Sequence, residues 1–157
     1  MGSPRLAKLC DSIELSVKDS CKDRISVSFS GGIDSTLIAF LAQKYCDVEL
    51  IAVGIPDAHD LEAARSASEL IGMELKVIEV EPKDMIAEGM EMQKCLNLSS
   101  MEVEFMLPFW IAAKNSENSI LMCGQGADEL FGGYARFRTE DAEYDLCLLY
   151  TSDAADE

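Results

Sequence analysis

The stretch Ser28-Phe29-Ser30-Gly31-Gly32-Ile33-Asp34-Ser35-Thr36 constrains the fold more than any other part of the chain. It is preceded by Ile25-Ser26-Val27-Ser28-Phe29, which alternates apolar and polar residues and is rich in β-formers, the pattern of a strand. It is followed by Leu37-Ile38-Ala39-Phe40-Leu41-Ala42, which has the residue types and spacing of a helix with a buried face. The two glycines therefore stand where a strand turns sharply into a helix. Lacking a Cβ, Gly31 and Gly32 can take positive φ and let a ligand approach the backbone. The helix adds unpaired N–H groups and the positive end of its dipole, both suited to an anion. Ser30, Ser35 and Thr36 add hydroxyl donors, and Asp34 adds a carboxylate able to hold a metal.

The loop is not a Walker A motif, because no lysine follows the glycines, and it lacks the third glycine of a dinucleotide fingerprint. The plain alternative is an ordinary glycine turn between strand and helix. In this setting, Ser-Gly-Gly-x-Asp-Ser resembles the pyrophosphate-binding loop of the ATP pyrophosphatases, or PP-loop enzymes. Those enzymes cleave ATP between the α and β phosphates and adenylate their substrates. The resemblance leaves the substrate open.

Charge narrows the choice of partner. The 157 residues carry 13 basic and 29 acidic side chains, a formal net charge of −16, with no basic stripe. A tRNA-binding surface needs clustered Lys and Arg, so no nucleic acid is expected and a small-molecule substrate is favoured. The alternative is that the acidity serves only solubility. With 48% hydrophobic residues, the chain is expected to fold as one domain with a real core. No apolar run reaches the ~18 residues needed to cross a bilayer, and the polar, mixed start lacks a signal-peptide pattern. Cys10, Cys21, Cys46, Cys95, Cys123 and Cys147 form no CxxC pair. Reduced thiols in a cytoplasmic protein are expected, without a disulfide frame or a zinc site. His59, the only histidine, is expected on a polar loop.

Along the chain, Leu6, Leu9, Cys10, Ile13 and Val17 predict an amphipathic helix over 5–20. The first strand, loop and helix run from about Ile25 to Tyr45. The nearly all-apolar run over 48–55 predicts a strand in a sheet covered on both faces. Asp57 or Asp60 is expected to cap a helix over 60–72, with Gly72 as its stop. Alternation over 75–80 predicts a third strand. Pro82 is expected to start a helix to about Cys95 and Pro108 another through Asn115, with 93–107 less regular. Met85, Met90, Met92, Met101 and Met106 are expected to fill gaps in a core, with a flexible substrate-facing segment as the alternative. Residues 119–123 predict a fourth strand. Strand–helix–strand order with short turns means parallel strands and right-handed crossovers. The fold class expected is α/β, a parallel sheet with helices on both faces.

A second motif, Gly124-Gln125-Gly126-Ala127-Asp128-Glu129-Leu130-Phe131-Gly132-Gly133-Tyr134, follows the fourth strand. Ligands of open α/β sheets bind at strand C-termini. A glycine turn with a solvated acid pair is the plain alternative. Together the two motifs resemble the synthetase domain of asparagine synthetases and their relatives, over roughly Arg24 to Phe137. That resemblance implies that Ser30, Gly31, Gly32, Asp34, Ser35 and Thr36 hold the pyrophosphate of ATP. It implies Asp34 and Asp128 as ligands of Mg2+. Val53, Gly54 and Ile55 would line the adenine side, with Cys123 and Gly124 close to the nucleotide or acyl-adenylate. Gln125 would stand by the amide-forming centre, where many relatives have Glu; an amide donates as well as accepts, so aspartate need not be the substrate.

The chemistry implied is activation of a carboxylate as an acyl-adenylate with loss of pyrophosphate, then attack by ammonia. Gly2 stands where glutamine-dependent amidotransferases of one class carry a cysteine nucleophile, so a separate glutaminase domain or subunit would supply that ammonia. The divisions expected are an N-terminal helix at 1–22, a C-terminally incomplete synthetase domain at 23–146, and a tail at 147–157. Residues 147–157 resemble the translation of a sequencing adapter; a natural acidic terminus is the alternative. Two other functions fit the motifs: another PP-loop ligase, β-lactam-synthetase-like or tRNA-modifying, and a non-catalytic nucleotide-binding module.

Overall fold

The strand-patterned stretches pair as β1 (Arg24–Ser28), β2 (Asp47–Gly54), β3 (Leu75–Glu79) and β4 (Leu121–Met122). A computed structural model describes residues 4–131, and in it these strands form one parallel sheet in the order β3-β2-β1-β4. Between and around them run α1 (Pro4–Ser20), α2 (Ile33–Ala42), α3 (His59–Ile71), α4 (Pro82–Leu96), α5 (Ser100–Asn115) and α6 (Ala127–Phe131). The chain divides into two compact units, Met1–Cys123 and Gly124–Glu157. No helix among the described residues is long and apolar enough to cross a membrane.

Sheet order follows from the connections. The units β1–α2–β2 and β2–α3–β3 step outward in one direction, and the α4–α5 crossover returns the chain to the far side of β1. Right-handed crossovers then put α2 and α3 on one face and α4–α5 on the other, the α/β architecture expected. The main core lies on the first face, where Ile25, Val27, Leu50 and Ala52 meet Ala39 and Ala42 of α2 and Leu61 and Ala64 of α3. Ile51 alternates to the opposite face, where α5 packs on β2, and it is fully buried.

A polar cluster fastens that second face. The Ser26 hydroxyl, with no exposure, donates to Glu49 Oε2 at 2.7 Å and lies 2.7 Å from Ser116 Oγ. Asn118 Nδ2 donates to Ser26 Oγ at 2.9 Å and to Glu49 Oε2 at 3.1 Å. Lys76 Nζ donates to the Asn115 carbonyl at 2.7 Å and pairs with Glu49 at 3.5 Å. Three strands are thus tied to the turn before β4. Elsewhere, Lys114 bonds Glu88 at 2.8 Å and Glu91 at 2.9 Å, and Trp110 Nε1 donates to Glu88 at 2.9 Å, holding α5 to α4. The Lys114 hydrogen bond, followed by that of Trp110, holds the Glu88 carboxyl below its usual range against the opposing effect of burial.

Several local expectations are corrected. Pro108 does not open a helix but sits inside α5, which starts at Ser100. The reason is a capping box: Glu102 N–H donates to Ser99 Oγ at 3.4 Å and Ser99 N–H donates to Glu102 Oε2 at 2.7 Å. Neither Asp57 nor Asp60 caps α3; its N-cap is Ala58, without a side-chain cap, and Asp57 takes φ 60° in the preceding turn. His59 is not on a loop but begins α3, with its side chain fully exposed. Of the five methionines expected to fill a core, Met92 is buried, whereas Met90, Met101 and Met106 are exposed. The fourth strand, expected over 119–123, is only Leu121–Met122, and it follows a turn in which Ser116 Oγ donates to the Asn118 carbonyl and accepts from the Asn118 N–H. Gly72 does stop α3, at φ 70°, and Pro82 does open α4. Gly132, Gly133, Tyr134 and the tail expected at 147–157 lie outside the described residues.

Candidate nucleotide site

β1 ends at Ser28, but Phe29 extends its line: its N–H donates to the Ile51 carbonyl at 2.8 Å and its ring is 2% exposed. That anchor aims the next four residues out of the C-terminal edge of the sheet. Gly31 takes φ 76°, and a Cβ there would lie 2.6 Å from the Ala63 carbonyl carbon and oxygen and 2.7 Å from Ala64 N. The loop therefore rests directly on the backbone of α3, at a distance only glycine permits. Gly32 is the N-cap of α2, without a side-chain cap. Its N–H donates to Ser30 Oγ at 3.3 Å, and its carbonyl accepts from Ser35 Oγ at 3.2 Å. Ser30 Oγ and Ser35 Oγ are 3.2 Å apart. The loop is closed on itself by hydroxyls, and the opening amides of α2 have no acceptor within the helix.

Asp34 lies half-buried in the first turn of α2. Thr36 follows, and its Oγ1 is buried with no hydrogen-bond partner among the described residues. A buried hydroxyl without a partner is costly and is what a bound oxyanion would satisfy. Thus the structure brings Ser30, Gly31, Gly32, Asp34, Ser35 and Thr36 together. Val53 and Gly54 end β2, the strand beside β1, and are half-buried, while Ile55 is exposed just beyond. Gly54 lies against α3: a Cβ there would meet Leu61 Cγ at 2.9 Å. β1 and β4 are adjacent and parallel, so Cys123, which follows β4 and is half-buried, leaves the same edge of the sheet as the loop.

The second unit begins at Gly124. Within it, Ala127 N–H donates to the Gly124 carbonyl at 3.4 Å, and Leu130 N–H to the Gly126 carbonyl at 3.0 Å. Gly126 takes φ 90°. Gln125 and Asp128 are exposed, and Asp128 stands in the first turn of α6. Among the described residues, no group of three or more His, Cys, Asp or Glu side chains gathers as a metal site. A carboxylate such as that of Asp34 suits magnesium in kind, since that ion takes one or two carboxylates and completes its shell from water and phosphate oxygens.

Sequence reasoning missed Ala63 and Ala64 as supports of the loop. Ala64 was visible only as an apolar position of a helix, and Ala63 touches Gly31 through its backbone, which no side-chain pattern records.

The family model and the curated relatives agree on a family. The family model described as asparagine synthase matches residues 8–152. A provisionally assigned asparagine synthetase (glutamine-hydrolyzing) of Methanocaldococcus jannaschii is 33% identical over 118 residues, 73% of this chain and 22% of its own length. The asparagine synthetase (glutamine-hydrolyzing) of Homo sapiens is 28% identical over 127 residues, again 73% of this chain and 22% of its own. The chain thus spans about a fifth of the length of these relatives. Among solved structures, the NH3-dependent NAD synthetase of Campylobacter jejuni aligns with TM-score 0.50 and 25% identity, over 82% of this chain and 58% of that one. The NMN synthetase of Francisella tularensis gives 0.52 and 18%, over 85% and 60%, a likeness of fold.

Proposed function

This chain belongs to the asparagine synthase family, and on that footing we propose that it carries the ATP-binding part of an amide-forming ligase. The observation that carries the proposal is the loop at Ser30–Thr36: closed by its own hydroxyls, backed by α3, and holding a buried Thr36 hydroxyl without a partner among the described residues. A substrate carboxylate attacks the α-phosphorus of ATP, and the bond to the β-phosphate oxygen breaks. Pyrophosphate leaves with several negative charges. The loop amides and the hydroxyls of Ser30, Ser35 and Thr36 receive that charge. Asp34 and Asp128 are assigned to magnesium, which when bound draws charge from the phosphates. Val53, Gly54 and Ile55 line the adenine side, with Cys123 and Gly124 near the nucleotide. Ammonia then attacks the acyl carbon of the adenylate, and AMP departs. The ammonia is assigned to a separate glutaminase domain or subunit, and the setting to the cytoplasm.

Gln125 stands exposed in the second motif and offers both an N–H donor and a carbonyl acceptor. That favours a carboxylate substrate other than aspartate as the second reading. ATP–pyrophosphate exchange with a panel of carboxylates, in a protein of the relatives' length that carries this segment, tests both. Asp34→Asn is expected to slow exchange by about 10²–10³ with the unfolding midpoint unchanged. Equal exchange by mutant and parent would sink the assignment.

A further inference from the structure

The connection from α1 to β1 and the connection from α2 to β2 run side by side. Arg24 pairs with Asp47 in the sheet, and the Asp47 N–H donates to the Asp23 carbonyl at 3.2 Å. Each connection carries a half-buried cysteine. Cys21 closes α1, its N–H donating to the carbonyls of Val17 and Lys18 at 3.1 Å. Cys46 closes the turn after α2, its N–H donating to the Ala42 carbonyl at 3.1 Å and its thiol reaching the same oxygen at 3.6 Å. Both side chains pack on one apolar cluster that contains Val17, Ile25 and Ala42. The neighbourhood is braced: Glu14 accepts from Lys44 Nζ at 2.9 Å and from Tyr45 Oη at 2.7 Å, and Lys18 Nζ lies 5.6 Å from the centre of the Tyr45 ring.

From this juxtaposition we propose that Cys21 and Cys46 are a redox pair that closes to a disulfide when the chain meets a small-molecule disulfide such as oxidised glutathione. One protein thiolate attacks a sulfur of the oxidant and expels one reduced glutathione. The other protein thiolate attacks the resulting mixed disulfide and expels the second. The two protein thiols lose two electrons and two protons, and the S–S bond of glutathione takes them up. Burial, with the neighbouring Cys21 adding to it, pushes the Cys46 thiol up to about 12. Its thiolate is therefore scarce near neutrality, and closure needs sustained oxidant. The ring so closed contains β1, the glycine loop and α2, so the scaffold of the candidate nucleotide site becomes one covalent loop. The pair stands independently of what the site binds.

The test uses the whole chain, incubated in glutathione buffers of increasing oxidising strength, blocked with N-ethylmaleimide and digested with trypsin without reduction. The expected product is the peptide 19–22 joined to 45–65, two hydrogen masses lighter than the sum of its parts. The oxidised chain is expected to melt roughly 5–15 °C higher than the reduced one. Cys46→Ser and Cys21→Ser should each abolish the joined peptide and the rise in melting temperature. Recovery of Cys21 and Cys46 on separate peptides, blocked or each glutathionylated, would overturn the proposal. So would a melting rise that survives in either variant. The peptide reading is made on the unsubstituted chain and does not depend on either variant folding.

Discussion

Gly31 and Gly126 occupy matching places in two motifs. Each has a positive φ, 76° and 90°, and each precedes a helix with an aspartate in its first turn, Asp34 and Asp128. Their surroundings differ. A Cβ on Gly31 would come within 2.6 Å of the α3 backbone, whereas a Cβ on Gly126 would meet nothing within 4 Å among the described residues. The first glycine is required twice, by conformation and by contact; the second is required by conformation alone. One loop is thus held from behind, while the other turn is shaped by its own dihedrals and by the backbone bonds of Ala127 and Leu130.

The sharpest way to break that contrast is Gly31→Ala. The left-handed conformation costs about 1–2 kcal/mol with a Cβ, and overpacking against α3 adds about 1–3 kcal/mol. A loss of about 2–5 kcal/mol is expected in urea denaturation. A loss below about 2 kcal/mol, the conformational cost alone, would show that α3 gives way and that the two glycines are equivalent. Gly126→Ala should incur the conformational cost alone. Because Leu130 N–H bonds the Gly126 carbonyl, the readout is local: amide exchange at Leu130 should quicken by about 5–30-fold, with the global midpoint unchanged. A shift in the global midpoint would place Gly126 in a packed setting after all. Thr36→Val should lower stability by no more than about 0.5 kcal/mol, since the buried Oγ1 has no partner to lose among the described residues. The same change should weaken pyrophosphate binding about tenfold or more in titration calorimetry. A larger stability loss with unchanged binding would remove Thr36 from the site.

The strands and the first loop were legible in the sequence because their signals are local. Ile25 to Phe29 alternates, 48–55 is apolar throughout, and Ser30 to Thr36 fixes the turn between strand and helix. The start of α5 was equally local, in Ser99 and Glu102, but Pro108 looked like a first residue and masked it. A proline inside a helix is tolerated when the surrounding packing outweighs the loss of one backbone bond, and that packing is tertiary. Ala58 as a cap could not be inferred, since it offers no side-chain acceptor. The contact of Gly31 with Ala63 and Ala64 joins backbones more than thirty residues apart, and nothing in residue type announces it.

The cluster of Ser26, Glu49, Ser116 and Asn118 bears on the order in which the molecule assembles. β4 gives the sheet only Leu121 and Met122, and the bond between Ser26 and Ser116 spans 90 residues of chain. β1 meets β2, and β2 meets β3, across far shorter loops, as in Arg24↔Asp47 and Leu50↔Leu75. Closing a long loop costs chain entropy before any contact returns it, so the three-stranded half is expected to form first. In pulse-labelled refolding, Phe29 N–H, which bonds Ile51, should gain protection before Ser26 N–H, which bonds Ile120. A refolding chain therefore passes through a stage in which the first glycine loop already stands on its sheet while the strand leading to the second has yet to arrive.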